Sequence, residues 1–159
     1  MLNRISDMIE LDVVGVRVEV STSSPMLLLR QSDGSRFLAI WIGAAEASAI
    51  VNALECAKPP RPLSHDLMSS LLELIDEPVE GVITDVEDGV FYGHLTVGDN
   101  EIEARPSDMI ALALRSDFKI SCLESVMDKA GVEVLEEAED EVERFKEFLE
   151  HVTPEDFEG

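Results

Sequence analysis

The sequence predicts an α+β fold: a mixed or antiparallel sheet with packed helices, and an acidic helix at its C-terminal end. Three observations lead there. Valine- and leucine-rich runs of strand length are separated by Gly- and Asp-containing turns. Alanine- and leucine-rich runs with helical spacing follow two groups of these strands. The order hairpin, strand, helix occurs at 25–54 and again at 90–115.

The elements follow in order. Leu11 to Val20 holds five valines and reads as a strand. Pro25 to Arg30 is a second, with Leu27, Leu28 and Leu29 apolar on both faces. Ser32-Asp33-Gly34-Ser35 is a turn in which Gly34 can take positive φ, and Phe37 to Ile42 returns as a third strand. Glu46 to Leu54 is helical by spacing. Lys58-Pro59-Pro60-Arg61-Pro62 cannot be regular, because three prolines remove donors and fix φ. Ser64 then reads as an N-cap, with Asp66 in the first turn and Leu67, Leu71, Leu72 and Ile75 as the apolar face. Val79 to Val86 and Val90 to Val97 are strands joined by the tight turn Asp88-Gly89, and Glu101 to Ala104 is a short third. Pro106 opens a helix over Ser107 to Arg115. Lys119 to Cys122 is a short strand, and Leu123 to Lys129 a helix stopped by Gly131. Leu135 to Val152 sets Val142, Phe145, Leu149 and Val152 at helical spacing, followed by a disordered end from Thr153 to Gly159.

The repeated order suggests an internal strand-strand-helix duplication. Gly43-Ala44-Ala45-Glu46 aligns with Arg105-Pro106-Ser107-Asp108 at an offset of 62, which makes Glu46 the counterpart of Asp108.

The 159 residues suffice for one domain that buries roughly two thirds of its unfolded surface without a metal or disulfide. Cys56 and Cys122 are too few for a disulfide scaffold, and no run approaches a membrane span. Met1 to Glu10 has no apolar core, so no secretory leader is expected, and the expected compartment is the cytoplasm. Twelve bases against 34 acids give a net −22, which excludes binding of nucleic acid by bulk electrostatics. Residues 1–132 hold 22 acids and 10 bases, while 133–159 hold 12 acids and 2 bases. The tail is therefore a separate unit, expected to be dispensable for folding of 1–132 and to serve solubility or the docking of a protein partner. The apolar strands Leu27-Leu28-Leu29 and Phe37 to Ile42 exceed what one small layer needs, so a homodimer is expected.

Three segments together carry a resemblance. They are Ile40-Trp41-Ile42-Gly43 with Glu46-Ala47 and Ile50; Pro60-Arg61-Pro62-Leu63-Ser64-His65-Asp66-Leu67; and Asp88-Gly89-Val90-Phe91-Tyr92 leading to Ala104-Arg105-Pro106-Ser107-Asp108 and Ile110 to Arg115. In order and spacing they resemble the bacterial bifunctional nuclease domain family over about residues 11–132. Ser64 and Val90 stand where threonine is commoner, and Lys119 where proline is usual. The resemblance implies a curved sheet carrying helices, and hydrolysis of DNA or RNA. It supplies no catalytic set residue by residue.

Candidate chemistry therefore rests on residue types. His65-Asp66 at a helix start reads as a general base with its orienter or as metal ligands, and Asp66 equally as plain first-turn capping. Arg61 and Arg105, each beside proline, read as phosphate clamps, and Arg105 equally as a partner for Asp108. Asp66, Asp85 and Asp108 are the candidate ligands for Mg²⁺ or Mn²⁺, which take carboxylate oxygens. Asp88 reads better as a turn residue. Trp41 reads as a core or interface residue, His94 and His151 as structural or solvated, and both cysteines as fillers. The expectation is one polar cleft where Pro60–Asp66 meets Arg105–Asp108, with Asp85 near its rim. The function expected is metal-assisted phosphodiester hydrolysis. Its rival is a non-catalytic module that binds an anionic ligand or a protein partner.

Overall fold

A computed structural model describes residues 7–18 and 20–133. Within it, β1 (Met8–Val18), β2 (Pro25–Gln31) and β3 (Arg36–Trp41) lead into α1 (Ala44–Leu54). Helix α2 (Ser64–Ile75) comes next, then β4 (Val79–Glu87), β5 (Val90–Val97), β6 (Asn100–Ala104) and α3 (Pro106–Ser116). The described chain closes with β7 (Lys119–Leu123), α4 (Glu124–Ala130) and β8 (Val132–Glu133). The acidic helix and disordered end expected beyond residue 134 lie outside the described residues, as does His151.

All eight strands form one open sheet in the order β6-β5-β4-β7-β1-β2-β3-β8. Every pairing is antiparallel except β4 with β7. The expected duplication is visible in this order. β1-β2-β3 and β4-β5-β6 are two meanders that run outward from opposite sides of β7, and each is followed by a helix, α1 or α3. Each first strand is also bulged, between Val13 and Gly15 in β1 and between Ile83 and Asp85 in β4. An extra residue in each of these strands bends it locally and increases its twist.

The hairpin turns show how local chemistry acts. β4 and β5 pair up to Glu87 with Val90, leaving a two-residue loop in which Asp88 has φ 49° and Gly89 φ 79°. Positive φ at both positions is what strand twist demands of so short a turn, and Asp-Gly accepts it cheaply. The longer Ser32–Ser35 connection imposes no such demand, and Gly34, able to take positive φ, does not use it.

Leu27, Leu29, Leu38 and Ile40 join Ile50 of α1, Met109 and Ile110 of α3, and Val126 and Met127 of α4 in one core. Leu28, pointing the other way, is buried as well. The strands that pointed to a homodimer thus bury Leu27, Leu28, Leu29, Leu38 and Ile40 inside the chain, while Phe37, Ala39 and Ile42 stay half-buried. Trp41 is the exception: it is 51% exposed, not a core residue, because it ends β3 at the sheet margin. Gly93 marks a close approach. A Cβ there would lie 2.8 Å from the Val82 carbonyl oxygen and 2.5 Å from Met109 Cε. The methionine can yield and the carbonyl cannot. Gly93→Ala is therefore expected to cost about 1–3 kcal/mol. That lowers Tm by roughly 2–10 °C in thermal denaturation, and an unchanged Tm would show that β5 can shift.

Helix α2 departs most from expectation. Ser64 is its first residue, and Leu63 is the N-cap, whose backbone N–H donates to Asp66 Oδ2 at 2.9 Å. Met68 and Leu72 pack on the core, while Leu67, Leu71 and Ile75, expected to face inward, lie exposed. No helix among the described residues is long and apolar enough to cross a membrane.

Candidate active site

Three helix starts meet at one place. Each has an acid at its third residue: Glu46 in α1, Asp66 in α2 and Asp108 in α3. Acids there suit the helix dipole. Here they also reach across to one another's elements. Arg105, the N-cap residue of α3, donates from Nε to Asp108 Oδ2 (2.9 Å), from Nη2 to Asp108 Oδ1 (3.2 Å) and from Nη1 to Glu46 Oε1 (2.8 Å). The offset-62 counterparts therefore grip the same guanidinium. On the other side of Asp108, Oδ1 lies 3.0 Å from His65 Nε2. The result is a continuous chain His65–Asp108–Arg105–Glu46.

A second set holds the helices in place. Arg115 near the end of α3 donates from Nε to Asp66 Oδ1 (2.8 Å), from Nη1 to the Ala111 carbonyl (2.8 Å) and from Nη2 to the Ala49 carbonyl (3.0 Å). It ties α1, α2 and α3 together from a position only 11% exposed. Ser69 and Ser116 add a hydroxyl pair at 2.5 Å.

The Pro60–Asp66 and Arg105–Asp108 segments thus meet, through His65 and Asp108. The partners differ from those expected. Asp66 is taken by the Leu63 N–H and Arg115, and makes no hydrogen bond to His65; Asp108 takes that place. Arg61 is exposed and makes no hydrogen bond or ion pair among the described residues. Asp85 accepts from the Val86 N–H at 2.8 Å and lies 3.4 Å from Lys129 of α4, with no bond to this cluster. The three carboxylates expected to hold Mg²⁺ or Mn²⁺ are each committed to a different cation, and no group of three His, Cys, Asp or Glu among the described residues could hold a metal ion. As arranged, they do not fit a metal site. Arg115 closes an expected helix and a family-like segment, and the sequence assigned it no role at the site. Its local trace was a basic residue in the last turn of an apolar helix.

The electrostatics follow from these contacts. Burial pushes the Asp108 carboxyl up, but hydrogen bonds from Arg105 and His65 outweigh it and hold the group below its ordinary range. The Leu63 N–H and then Arg115 hold Asp66 low, and Arg105 does the same for Glu46. Asp108 and Glu46 in turn raise Arg105. Depressed carboxylates contribute stability that is fully present above their unfolded pKa, about 4, and is lost as pH falls through the lower folded values. Thermal stability is therefore expected to drop in acid below about pH 4, and Asp66→Asn to lose less over the same interval. Relief of the net −22 acts oppositely but equally in both proteins, so equal acid losses would refute the assignment. Desolvation pushes the buried Cys122 thiol up to about 11, which fits an inert filler, and Cys56 is exposed.

Arg105 is 63% exposed, and a cleft of about 260 Å³ opens beside it, lined also by Phe91, Tyr92, Gly93 and Glu103. Three of its five N–H donors are engaged, which leaves two to meet an oxyanion while the rest fix the plane of the fork. His65 spends Nε2 on Asp108, so Nδ1 is the nitrogen left for chemistry.

A model of the bifunctional nuclease domain matches residues 27–135 of the chain. Two uncharacterised proteins of Mycobacterium tuberculosis, from the CDC 1551 and H37Rv strains, are each 43% identical to it over an alignment that covers 93% of this chain and 97% of theirs.

Proposed function

Because the chain belongs to the bifunctional nuclease domain family, we propose that it hydrolyses phosphodiester bonds of DNA or RNA with His65 as the general base. The observation that carries this reading is the chain His65–Asp108–Arg105. A carboxylate on one imidazole nitrogen orients the ring, selects the tautomer and stabilises the imidazolium once formed. Nδ1 of His65 takes a proton from water, the water oxygen bonds to phosphorus, and the P–O bond to the leaving oxygen breaks. That oxygen takes its proton from the imidazolium or from solvent. Arg105 neutralises the phosphoryl oxygens with its two remaining N–H groups. Nucleic acid is then a substrate gripped at one exposed arginine, compatible with an acidic surface that does not attract it at long range. Mg²⁺ or Mn²⁺ remains a proposed aid without an assigned ligand set, and no step depends on it.

A second reading, a binding or regulatory module for an anionic ligand or a protein partner, is favoured by one observation. Arg105 with Glu46 and Asp108, and Arg115 with Asp66, already satisfy one another within the chain. One experiment separates the two readings. Purified protein is incubated with end-labelled DNA and RNA in chelator, in Mg²⁺ and in Mn²⁺, beside His65→Ala and Asp66→Ala made identically. Cleavage lost in His65→Ala supports the nuclease. Cleavage equal in both proteins marks a contaminant or another site. No cleavage in any condition leaves the binding module.

A further inference from the structure

The outer face of α2 is an apolar stripe that nothing in the described chain covers. Leu67, Leu71, Leu74 and Ile75 are 58%, 50%, 82% and 54% exposed, and Leu63 continues the stripe at the N-cap. Steps of four, four and three place Leu63, Leu67, Leu71 and Leu74 in one line along the helix, while Met68 and Leu72, at the inner margin of the apolar arc, pack on the core. Large apolar side chains scattered singly on a surface are ordinary; five along twelve residues of helix and its cap are not.

Charge decides what fits this face. From residue 62 to residue 104 the sequence has eleven acids and no Lys or Arg. Asp66 and Glu73 lie along α2, and Asp76 and Glu77 follow at its end. A second copy would set this acidic margin against itself. The chain's own segment 133–159, with 12 acids and 2 bases, would be repelled as well. We infer that the outer face of α2 docks a basic amphipathic helix of a partner protein, its apolar side against Leu67, Leu71 and Leu74 and its Lys or Arg residues over Glu73, Asp76 and Glu77. Apolar anchors supply the affinity, and the flanking charges fix partner choice and register. The site is separate from the nuclease reading and stands or falls without it.

The probe is a synthetic amphipathic Leu/Lys peptide of about 14 residues, long enough for several helical turns. It is titrated into the full chain at about 0.15 M salt, beside a Leu/Glu peptide of the same pattern. The Leu/Lys peptide is expected to bind and the Leu/Glu peptide not. Leu71→Asp and Leu74→Asp are each expected to weaken binding by about ten-fold or more, the scale of one lost leucine contact. These variants add negative charge, so attraction by bulk charge alone predicts tighter binding. Binding as tight as, or tighter than, that of the unmodified protein overturns the proposal. Glu73→Lys with Asp76→Lys tests the rim independently and is expected to weaken binding too. Unchanged binding there, or equal binding of both peptides, also overturns it. So does sedimentation that finds a dimer of the unmodified chain dissociated by Leu74→Asp, since a second copy would then be the occupant. Leu74 is the most exposed of the large apolar residues among the described residues, so the fold is expected to survive its replacement, checked by an unchanged Tm.

Discussion

Replacing His65 with alanine is expected to lower phosphodiester hydrolysis by about 10²–10⁴-fold, the usual contribution of a positioned general base. The loss should fall on kcat, because His65 is 14% exposed and held toward Asp108, whereas Arg105 at 63% exposure is the group that meets substrate phosphate. Asp108→Asn should also lower kcat, since an amide cannot stabilise the imidazolium that forms on proton transfer. It should raise KM as well, because both Asp108 oxygens hold the Arg105 fork. Arg105→Ala should act mainly on KM and the transition state, and Arg105→Lys should recover little, since a lysine cannot reproduce the fork between Glu46 and Asp108. Asp66→Asn, which touches Arg115 and not His65, should leave kcat far closer to that of the unmodified protein. Single-turnover cleavage of one labelled oligonucleotide checks the series. An Asp66 effect as large as the His65 effect would reverse the two acids' roles.

Arg115→Ala is expected to be the most destabilising of the polar substitutions, by about 2–4 kcal/mol. Its guanidinium bonds three elements at once, and its removal strips Asp66 of its cation and the Ala49 carbonyl of a donor. The ion pair contributes the smaller share, because the Asp66 carboxylate is a third exposed and partly screened. The larger share is the lost packing and hydrogen bonding of a nearly buried side chain. For a domain of this size the corresponding fall in Tm is about 5–15 °C. Arg115→Lys should restore only part of it, since one ammonium cannot reach three acceptors held in a plane. A Tm within a degree of the unmodified protein would show that α1, α2 and α3 are held by their apolar contacts alone.

Much of this architecture was legible along the chain, where the cause is local. Asp88-Gly89 dictated the β4–β5 hairpin because few other pairs take positive φ twice. Pro106 and Asp108 announced the start of α3, and Pro59-Pro60-Arg61-Pro62 the break before α2. The repeat at 62 residues was legible too, and with it the equivalence of Glu46 and Asp108. Where an end depended on a long-range contact, local cues failed. β8 is two residues long and exists only as a partner for Arg36 and Phe37 of β3. By contrast, helices α2 and α3 end in left-handed conformations at Asp76 and Asp117, within two residues of Ile75 and Arg115, where helical spacing stopped.

The candidate site divides along the same line. Sequence by itself determined which residue types stand at the helix starts, because an acid in the first turn and a proline at the first position are choices made within one helix. Only the tertiary structure decided their partners. His65 and Asp108 are 43 residues apart and Asp66 and Arg115 are 49 apart, and nothing local distinguishes an acid that caps its own helix from one that holds a distant histidine. Tertiary packing also gave Asp85 the Val86 N–H and Lys129 as partners in place of the acids it was expected to join, and chose which part of α2 to bury. The apolar residues of that helix form one broad arc, so its periodicity permits either margin of the arc to face inward, and contact with α3 and the core selects Met68 and Leu72.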